Sequence, residues 1–264
     1  MTNRQFDEVE DLIKASPTKS NECPTCGAKA VEVAPGIPDW PDSTYRYKDE
    51  NHPCNCLEQI RLFRHYLLAH IPQEYMNLGI DCYKGDPKAL LEAEGYLTKW
   101  DSYRKHGMGI GFYSKAQGTG KTFLAMYIAR ELVKQGEAVY VTYFLNIVST
   151  YQLPYEARKD EEDRLRDCTI LILDEVARPI SEAQRVLFAE KFEELIRHRS
   201  NYNKITILTT NLTPKELDDI YPRTYSLLQA KERSIKVTGG DARKEGVWTV
   251  NQELAENGEV RPII

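Results

Sequence analysis

The sequence contains no hydrophobic stretch long enough to cross a membrane as a helix. Such a helix needs about 18 or more consecutive apolar residues, and no stretch of the chain approaches that length. The N-terminal segment MTNRQFDEVEDLIKAS is polar and acidic, unlike a secretory signal. We therefore expect a cytoplasmic protein whose six cysteines are reduced and do not form disulfides.

The sequence also lacks an excess of positive charge. It has 35 lysine and arginine residues against 40 aspartate and glutamate residues, which gives a net charge of −5. This balance excludes a surface that is basic throughout and coats nucleic acid, although a local basic groove remains compatible with it. Internal repeats and low-complexity tracts are absent as well. The composition is that of a globular protein, and 264 residues suffice for one large domain with an appendage.

From residue 108 onward, predicted strands alternate with predicted helices. The strands are MGIGFYS, AVYVTYF, TILILD, KITILTTN and SIKVTG, and the helices include TFLAMYIARELVKQ and SEAQRVLFAEKFEELIRHR. Such alternation predicts an α/β fold with a parallel sheet flanked by helices on both faces. Before this domain (108–264) we expect a small N-terminal domain (1–70) that contains four cysteines, and a connector with short helices (71–107).

Local signals mark the ends of several predicted helices. Ser181 with Gln184, and Thr213 with Glu216, have the spacing of capping boxes, in which two side chains satisfy the free N–H groups of the first turn. Gly136 follows the first long helix and is a plausible C-cap. These signals support the boundaries of the predicted helices.

The segment FYSKAQGTGKTFLAM, which follows the first predicted strand, has most features of a phosphate-binding loop. Gly118 and Gly120 let the backbone approach phosphates closely, Lys121 supplies positive charge, and Thr122 supplies a hydroxyl for Mg²⁺. A helix that begins near Thr122 directs its positive end at the phosphates. The predicted nucleotide-binding residues are Gln117, Gly118, Thr119, Gly120, Lys121, Thr122 and Phe123.

One position of the loop departs from the usual pattern, because Lys115 stands where the first glycine is expected. A Cβ atom is tolerated there if the residue keeps a negative φ. The match is therefore weakened, and the alternative is a glycine-rich turn without a ligand. We expect a working nucleotide site.

Two further segments carry polar residues at the ends of buried strands. In ILILDE, Asp174 is placed to hold Mg²⁺ through its water shell, and Glu175 to polarise the attacking water. In ILTTN, Asn211 can orient that water near the γ-phosphate. The alternatives are acids that serve solubility and a turn that leads to a helix cap. Together with the loop, these residues predict an ATPase with its site at the carboxyl ends of parallel strands.

The order of GTGKT, ILILDE, ILTTN, a short arginine-bearing helix and VTGGDAR resembles the AAA+ ATPases of the DnaC/DnaI helicase-loader and IstB group. The resemblance covers roughly residues 70–250. It implies an AAA+ fold with ATP and Mg²⁺, in which Lys121 contacts phosphate and Thr122 and Asp174 hold magnesium. Glu175 and Asn211 would then be the catalytic acid and the first sensor. Arg243 would be the arginine that senses the γ-phosphate.

The sequence departs from the pattern of this group at the arginine that completes the site of a neighbouring subunit. The group often has Ser-Arg-Leu where the chain reads Ser226-Leu227-Leu228. Arg223 or Arg233 are the candidates to replace it, and the alternative for each is a solvated surface arginine. A chain without such an arginine would hydrolyse ATP slowly and act mainly as a binding switch, since the residue contributes ~10³–10⁵ in rate.

Four cysteines near the N-terminus have the spacing of a structural zinc site. Cys23 and Cys26 form a CxxC pair, and Cys54 and Cys56 form a CxC pair that supplies the other two ligands. His52 is the substitute ligand if one cysteine is free, and the alternative is four reduced cysteines without metal. Cys82 and Cys168 lie apart and are expected to be small core residues.

The resemblance also implies partners. The N-terminal domain would bind a DnaB-type hexameric replicative helicase, and ATP would drive self-association of the AAA+ domains. The helicase would then be loaded onto single-stranded DNA during replication initiation, with Lys159, Arg164 and Arg166 as candidate DNA contacts. The alternatives are an IstB-type ATPase that regulates transposition on duplex DNA, and a weakly hydrolysing ATP-binding adaptor.

Overall fold

The computed structural model describes Leu62 and residues 65–76, 79–150, 153–179 and 181–241. The described residues from Ala69 onward belong to one compact unit. Leu62 and residues 65–68 belong to a second unit, in which they are helical. Among the residues in these ranges, no helix is long and apolar enough to span a membrane.

The compact unit contains strands and helices in alternation from β1 onward. The strands are β1 (Gly109–Tyr113), β2 (Val139–Tyr143), β3 (Ile170–Val176), β4 (Ile205–Thr210) and β5 (Glu232–Lys236). The helices are α1 (Gln73–Met76), α2 (Pro87–Thr98), α3 (Trp100–His106), α4 (Lys121–Lys134), α5 (Phe144–Thr150), α6 (Tyr155–Asp167), α7 (Glu182–Asn201), α8 (Pro214–Ile220) and α9 (Pro222–Lys231). A single 3₁₀ turn, Ile80–Cys82, lies between α1 and α2.

The five strands form one parallel sheet in the order β2-β3-β4-β1-β5. The predicted α/β fold with a parallel sheet is confirmed. Strands β3 and β4 are buried over most of their length, as expected for strands covered on both faces. Because β4 lies between β1 and β3, the loop after β1 and the acids of β3 flank the end of β4.

Helix α4 packs against β1, β3 and β4 and also contacts α2. A cluster of buried hydrophobic residues joins Leu171 and Leu173 of β3 to helices α5, α7 and α9. Its centre is aromatic, with the Phe144 ring 5.0 Å from Phe192 and 5.9 Å from Tyr221 in edge-to-face contacts. These packed layers fix the strand ends that carry the polar residues.

The helix caps follow the sequence signals. The Thr213 side chain accepts from the Glu216 N–H and the Glu216 side chain accepts from the Thr213 N–H, so this capping box is confirmed. Ser181 accepts a hydrogen bond from the Gln184 N–H at the start of α7. Gly136 has a φ of 84° just after α4, a left-handed conformation that glycine adopts without strain.

Two elements differ from the prediction, whereas the connector contains short helices as expected. Helix α5 begins at Phe144, directly after β2, although the sequence indicated only a strand there. Strand β3 continues to Val176, beyond the predicted end at Asp174. The connector forms α1 to α3, of which α2 packs against α4 and β5. The domain boundaries at residues 70 and 107 stay predictions.

Candidate nucleotide-binding site

A cleft opens at the carboxyl ends of β1, β3 and β4, beside the start of α4. One wall is the loop between β1 and α4, and the opposite wall comes from the segment around the 3₁₀ turn. The lining residues are Tyr75, Cys82, Tyr83, Lys84, Gly85, Gln117, Gly118, Thr119, Gly120, Lys121, Thr122, Phe123, Glu175, Thr209, Thr210 and Asn211. The predicted loop residues therefore lie together with the predicted acid and the predicted polar strand tip.

The loop requires glycine at the two positions that the sequence singled out. Gly118 and Gly120 have φ values of 67° and 88°, which residues with a Cβ rarely adopt. A Cβ on Gly118 would also lie 1.7 Å from Asp241 Oδ1, and a Cβ on Gly120 would lie 2.6 Å from the Tyr83 ring. Only glycine therefore allows the backbone to turn here and to present its N–H groups to a ligand.

Lys121 is the first residue of α4 and is buried in the loop. Its Nζ donates to the Ala116 carbonyl at 3.0 Å and lies 3.4 Å from Thr119 Oγ1. These contacts keep the ammonium group over the loop, next to the N-terminal turn of the helix. Lysine and helix N-terminus thus concentrate positive charge at one place, which is the requirement for binding phosphates.

Lys115 lies at the edge of this loop with its side chain in solvent. Of the non-glycine residues that the structure describes, those with positive φ are His70, Glu175 and Asn203, so Lys115 keeps the negative φ at which a Cβ is tolerated. Its Nζ lies 3.4 Å from Glu216 Oε1. The lysine therefore points away from the phosphate-binding part of the loop.

Asp174 is buried next to Thr122 and Thr209, two residues that line the cleft. Its Oδ1 accepts hydrogen bonds from Thr122 Oγ1 at 3.1 Å and from Thr209 Oγ1. Burial raises the pKa of this carboxyl above its ordinary value, and the bonds from Thr209 and Thr122 oppose that shift. Thr122 and Asp174 thus bring two hard oxygen ligands together, which fits the preference of Mg²⁺.

Glu175 follows in an irregular part of β3. Its φ of 58° is left-handed, and the pairing of β3 with β4 shifts register between Leu173 and Val176. The Glu175 side chain is exposed and lines the cleft. A bulge of this kind re-aims a side chain, and here it brings neighbouring acids of one strand to the same site.

Asn211 follows β4 directly and is exposed in the cleft. The turn that carries it is held by Thr210, whose Oγ1 donates to the Val176 carbonyl at 2.6 Å and accepts from the Leu212 N–H at 3.0 Å. Asn211 and Glu175 therefore face one cleft from adjacent strand ends.

The candidate arginines differ in their surroundings. Arg223 lies in the first turn of α9, is 81% exposed, and has Glu193 at 3.7 Å. Arg233 lies on β5, where it pairs with Glu92 at 2.7 Å and lies 3.4 Å from the Tyr103 hydroxyl. Arg243, Cys23, Cys26, His52, Cys54 and Cys56 lie outside the described residues.

The candidate DNA contacts lie on α6. Arg164 pairs with Glu161 and packs on the Tyr140 ring, and Arg166 pairs with Glu194. Lys159 is exposed. Two of the three side chains are thus engaged within the chain itself.

Two residues that lie against the phosphate loop, Tyr83 and Asp241, carried no signal in the sequence. Tyr83 packs its ring 5.2 Å from Phe123 and covers Gly120. Its burial, with the nearby Asp86 charge, raises the pKa of Tyr83 to about 12. Tyr83 and Asp241 reach the loop from distant parts of the sequence, so only the fold places them there.

The parallel sheet, the glycine-rich loop and the acids at the end of β3 are the features of a P-loop nucleotide-binding domain. Residues 114–229 match the family of IstB-like ATP binding proteins. The chain is also 25% identical over 148 residues to the replicative helicase loader DnaC of Escherichia coli K12. That alignment covers 54% of this chain and 57% of DnaC, so the chain spans little more than half the length of this relative.

Solved structures show the same fold. A crystal structure of DnaI has a TM-score of 0.54 at 20% identity. The alignment covers 64% of this chain and 95% of the DnaI chain. A crystal structure of the DnaC helicase loader has a TM-score of 0.53 at 20% identity, with coverage of 63% and 100%. Residues 114–229 are therefore similar to IstB-like ATP binding proteins, the chain has the fold of the DnaI and DnaC structures, and the resemblance found in the sequence is confirmed.

Proposed function

We propose that this chain hydrolyses ATP to ADP and phosphate in the cleft between the loop and the end of β3. The observation that carries the proposal is the 3.1 Å contact between Thr122 Oγ1 and Asp174 Oδ1, with Glu175 and Asn211 in the same cleft. It joins the loop to the acids of β3, as phosphoryl transfer requires.

Each residue then has a defined role. Lys121 and the loop N–H groups bind the β- and γ-phosphates. Thr122 and Asp174 would hold Mg²⁺, which would neutralise phosphate charge. Glu175 polarises the attacking water and Asn211 orients it. Arg243 is proposed, from the sequence alone, to contact the γ-phosphate.

The proposal is tested with Glu175→Gln. We expect this variant to bind ATP with unchanged affinity and to lose hydrolysis by about 10²–10⁴-fold, because a general base contributes that much to the rate. The measurements are phosphate release and titration with a fluorescent ATP analogue.

Glu190→Gln on the exposed face of α7 is the matched control and should keep the wild-type rate. Equal turnover by wild type and Glu175→Gln would refute the catalytic role. A wild-type chain that binds ATP without turnover would instead support the adaptor alternative.

For the whole molecule we propose a loader of a hexameric replicative helicase of the DnaB type. The support is the similarity to DnaC, named a replicative helicase loader, together with the AAA+ fold shared with DnaC and DnaI. In this proposal ATP assembles several copies side by side, and the assembly holds the helicase around single-stranded DNA until hydrolysis releases it.

We propose that the N-terminal segment binds one zinc ion through Cys23, Cys26, Cys54 and Cys56. The support is the spacing of the two cysteine pairs. A structural zinc supplies about 10–16 kcal/mol of folding free energy in small modules. Metal analysis of natively purified protein should therefore give one zinc per chain, and chelation should unfold this segment while the ATPase domain stays folded. A zinc content near zero would end this proposal.

A second candidate function is an ATPase that regulates transposition on duplex DNA. The match of residues 114–229 to IstB-like ATP binding proteins favours it. ATP-dependent filaments on duplex DNA, without a complex with a helicase, would support this function over the loader.

A further inference from the structure

The pairing of β3 with β4 is irregular at the cleft. Leu173 of β3 lies opposite Leu208 of β4, whereas Val176 lies opposite Thr210. Two residues of β3, Asp174 and Glu175, therefore face one residue of β4, which is Thr209. Thr209 stands opposite the bulge that carries both acids.

The Thr209 hydroxyl bonds to both residues of the bulge. It donates to Asp174 Oδ1 and accepts the Glu175 N–H at 3.0 Å. A hydroxyl has one proton to donate and lone pairs that accept, so a single threonine can make both bonds at once. Thr209 is buried, which limits the access of water to its hydroxyl.

Each bond holds one of the two acids in its observed geometry. A left-handed φ at a residue with a Cβ costs roughly 1–2 kcal/mol, and the bond to Thr209 holds the Glu175 backbone in that conformation. The bond to Asp174 Oδ1 fixes its carboxylate where Thr122 also contacts it. The neighbouring Thr210 has a different role, since its hydroxyl bonds to Val176 and Leu212.

We infer that Thr209 is a positioning residue for ATP hydrolysis, whose hydroxyl sets the Asp174 carboxylate against Thr122 and the Glu175 carboxylate in the cleft. The inference rests on the proposed hydrolysis at this site. In this role Thr209 acts through the two acids.

The test compares Thr209→Val, which keeps the shape and removes the hydroxyl, with Thr209→Ser, which keeps the hydroxyl. The matched control is Thr206→Val on the same strand, where the lost hydroxyl accepts from Arg199 Nε at 3.1 Å. Phosphate release gives kcat, and a fluorescent ATP analogue gives Kd with and without Mg²⁺. If Thr209→Val melts well below the wild type, Thr209→Ala replaces it.

We expect Thr209→Val to lower kcat by about 10–100-fold, as loss of a partner behind a metal ligand does. The Kd for ATP without Mg²⁺ should stay unchanged, because the loop is intact. Thr209→Ser should restore most of the rate, and Thr206→Val should lower stability with little change in kcat. A wild-type kcat in Thr209→Val, or an equal loss in Thr206→Val, would overturn the inference.

If the wild-type chain does not turn over ATP, the proposed hydrolysis is refuted. The role of Thr209 in placing Asp174 is then tested by the effect of Mg²⁺ on ATP affinity. Mg²⁺ should then tighten ATP binding in the wild type and in Thr209→Ser, and less in Thr209→Val. The same gain in all three proteins would overturn the inference.

Discussion

Two lysines of the phosphate loop, six residues apart, have different environments. Lys121 is buried and bonds to the loop carbonyl of Ala116, whereas the Lys115 side chain is 70% exposed beside Glu216. Glu216 also pairs with Arg178 and caps α8. An exposed ion pair of this kind contributes little, because water screens it. Lys115 is thus accommodated at the position of a glycine because its side chain leaves the site.

This difference predicts the effect of removing each lysine. Lys115→Ala should leave ATP affinity within about threefold of the wild type, while Lys121→Ala should weaken it by about 10–100-fold, the range of a hydrogen bond to a charged group. Titration with a fluorescent ATP analogue measures both variants. An equal loss in the two would show that Lys115 contacts the nucleotide.

Sequence motifs could predict the residues of the loop and the acids, because each motif is local. The role of Thr209 could not be predicted, since it depends on how β3 and β4 pair. Tyr83 and Asp241 were missed for the same reason, as their contacts with Gly120 and Gly118 join segments far apart in the sequence. Local sequence motifs therefore identify the residues that bind ATP and act on it. The residues that hold them in place come from distant segments and are found only in the folded structure.

At the scale of elements, Asp86 joins two segments beside the cleft. Its Oδ1 accepts the Lys88 N–H as the N-cap of α2, and its Oδ2 accepts the Thr238 N–H and hydroxyl after β5. The segment around Tyr83 and the segment that leads to Asp241 are thus tied together. Both segments reach the phosphate loop.

Asp86 should also give the stability a specific pH dependence. The hydrogen bond from the Thr238 side chain lowers the pKa of this carboxyl, with burial opposing the shift. The carboxylate therefore stabilises the fold above its unfolded pKa of about 3.9, and this contribution is lost as the pH falls through the lower folded pKa.

Asp86→Asn should cost about 0.5–2 kcal/mol of unfolding free energy at pH 7, the range of a helix cap, and less below about pH 4. Urea denaturation at several pH values measures this difference. Asp218→Asn, at an exposed position of α8, is the control and should show no such dependence. A constant difference across the pH range would contradict the role of Asp86.

Helices and strands could be predicted from the sequence where a few adjacent residues mark them. The Thr213 capping box and the buried run of β3 are read from a few adjacent residues. The start of α5 at Phe144 was not predicted, because its apolar residues continue those of β2. The order β2-β3-β4-β1-β5 depends on packing between distant segments, which no local pattern contains.

At the scale of the whole molecule, the exposed Arg223 is the better candidate to complete the site of a neighbouring copy. Arg233 pairs with Glu92 at 2.7 Å, whereas Arg223 is 81% exposed and lies 3.7 Å from Glu193. We propose that Arg223 acts in trans, so Arg223→Ala should lower the ATPase rate without weakening ATP binding. Arg233→Ala is the matched control and should retain most of the rate.

Mixing two inactive variants tests the trans arrangement. Arg223→Ala and Glu175→Gln should each be slow alone, and a mixture should recover activity. Some interfaces of the mixture combine an intact Glu175 from one copy with an intact Arg223 from its neighbour. A mixture no faster than its components would place the arginine elsewhere.

The measurement that tests the loader proposal most directly is native mass spectrometry of this chain with a hexameric replicative helicase of the DnaB type. The account predicts a complex that forms with ATP and Mg²⁺, persists with the Glu175→Gln variant, and carries one zinc per loader chain. Absence of a complex under every nucleotide condition, with the helicase hexamer intact, would contradict the loader function and direct the search to duplex DNA.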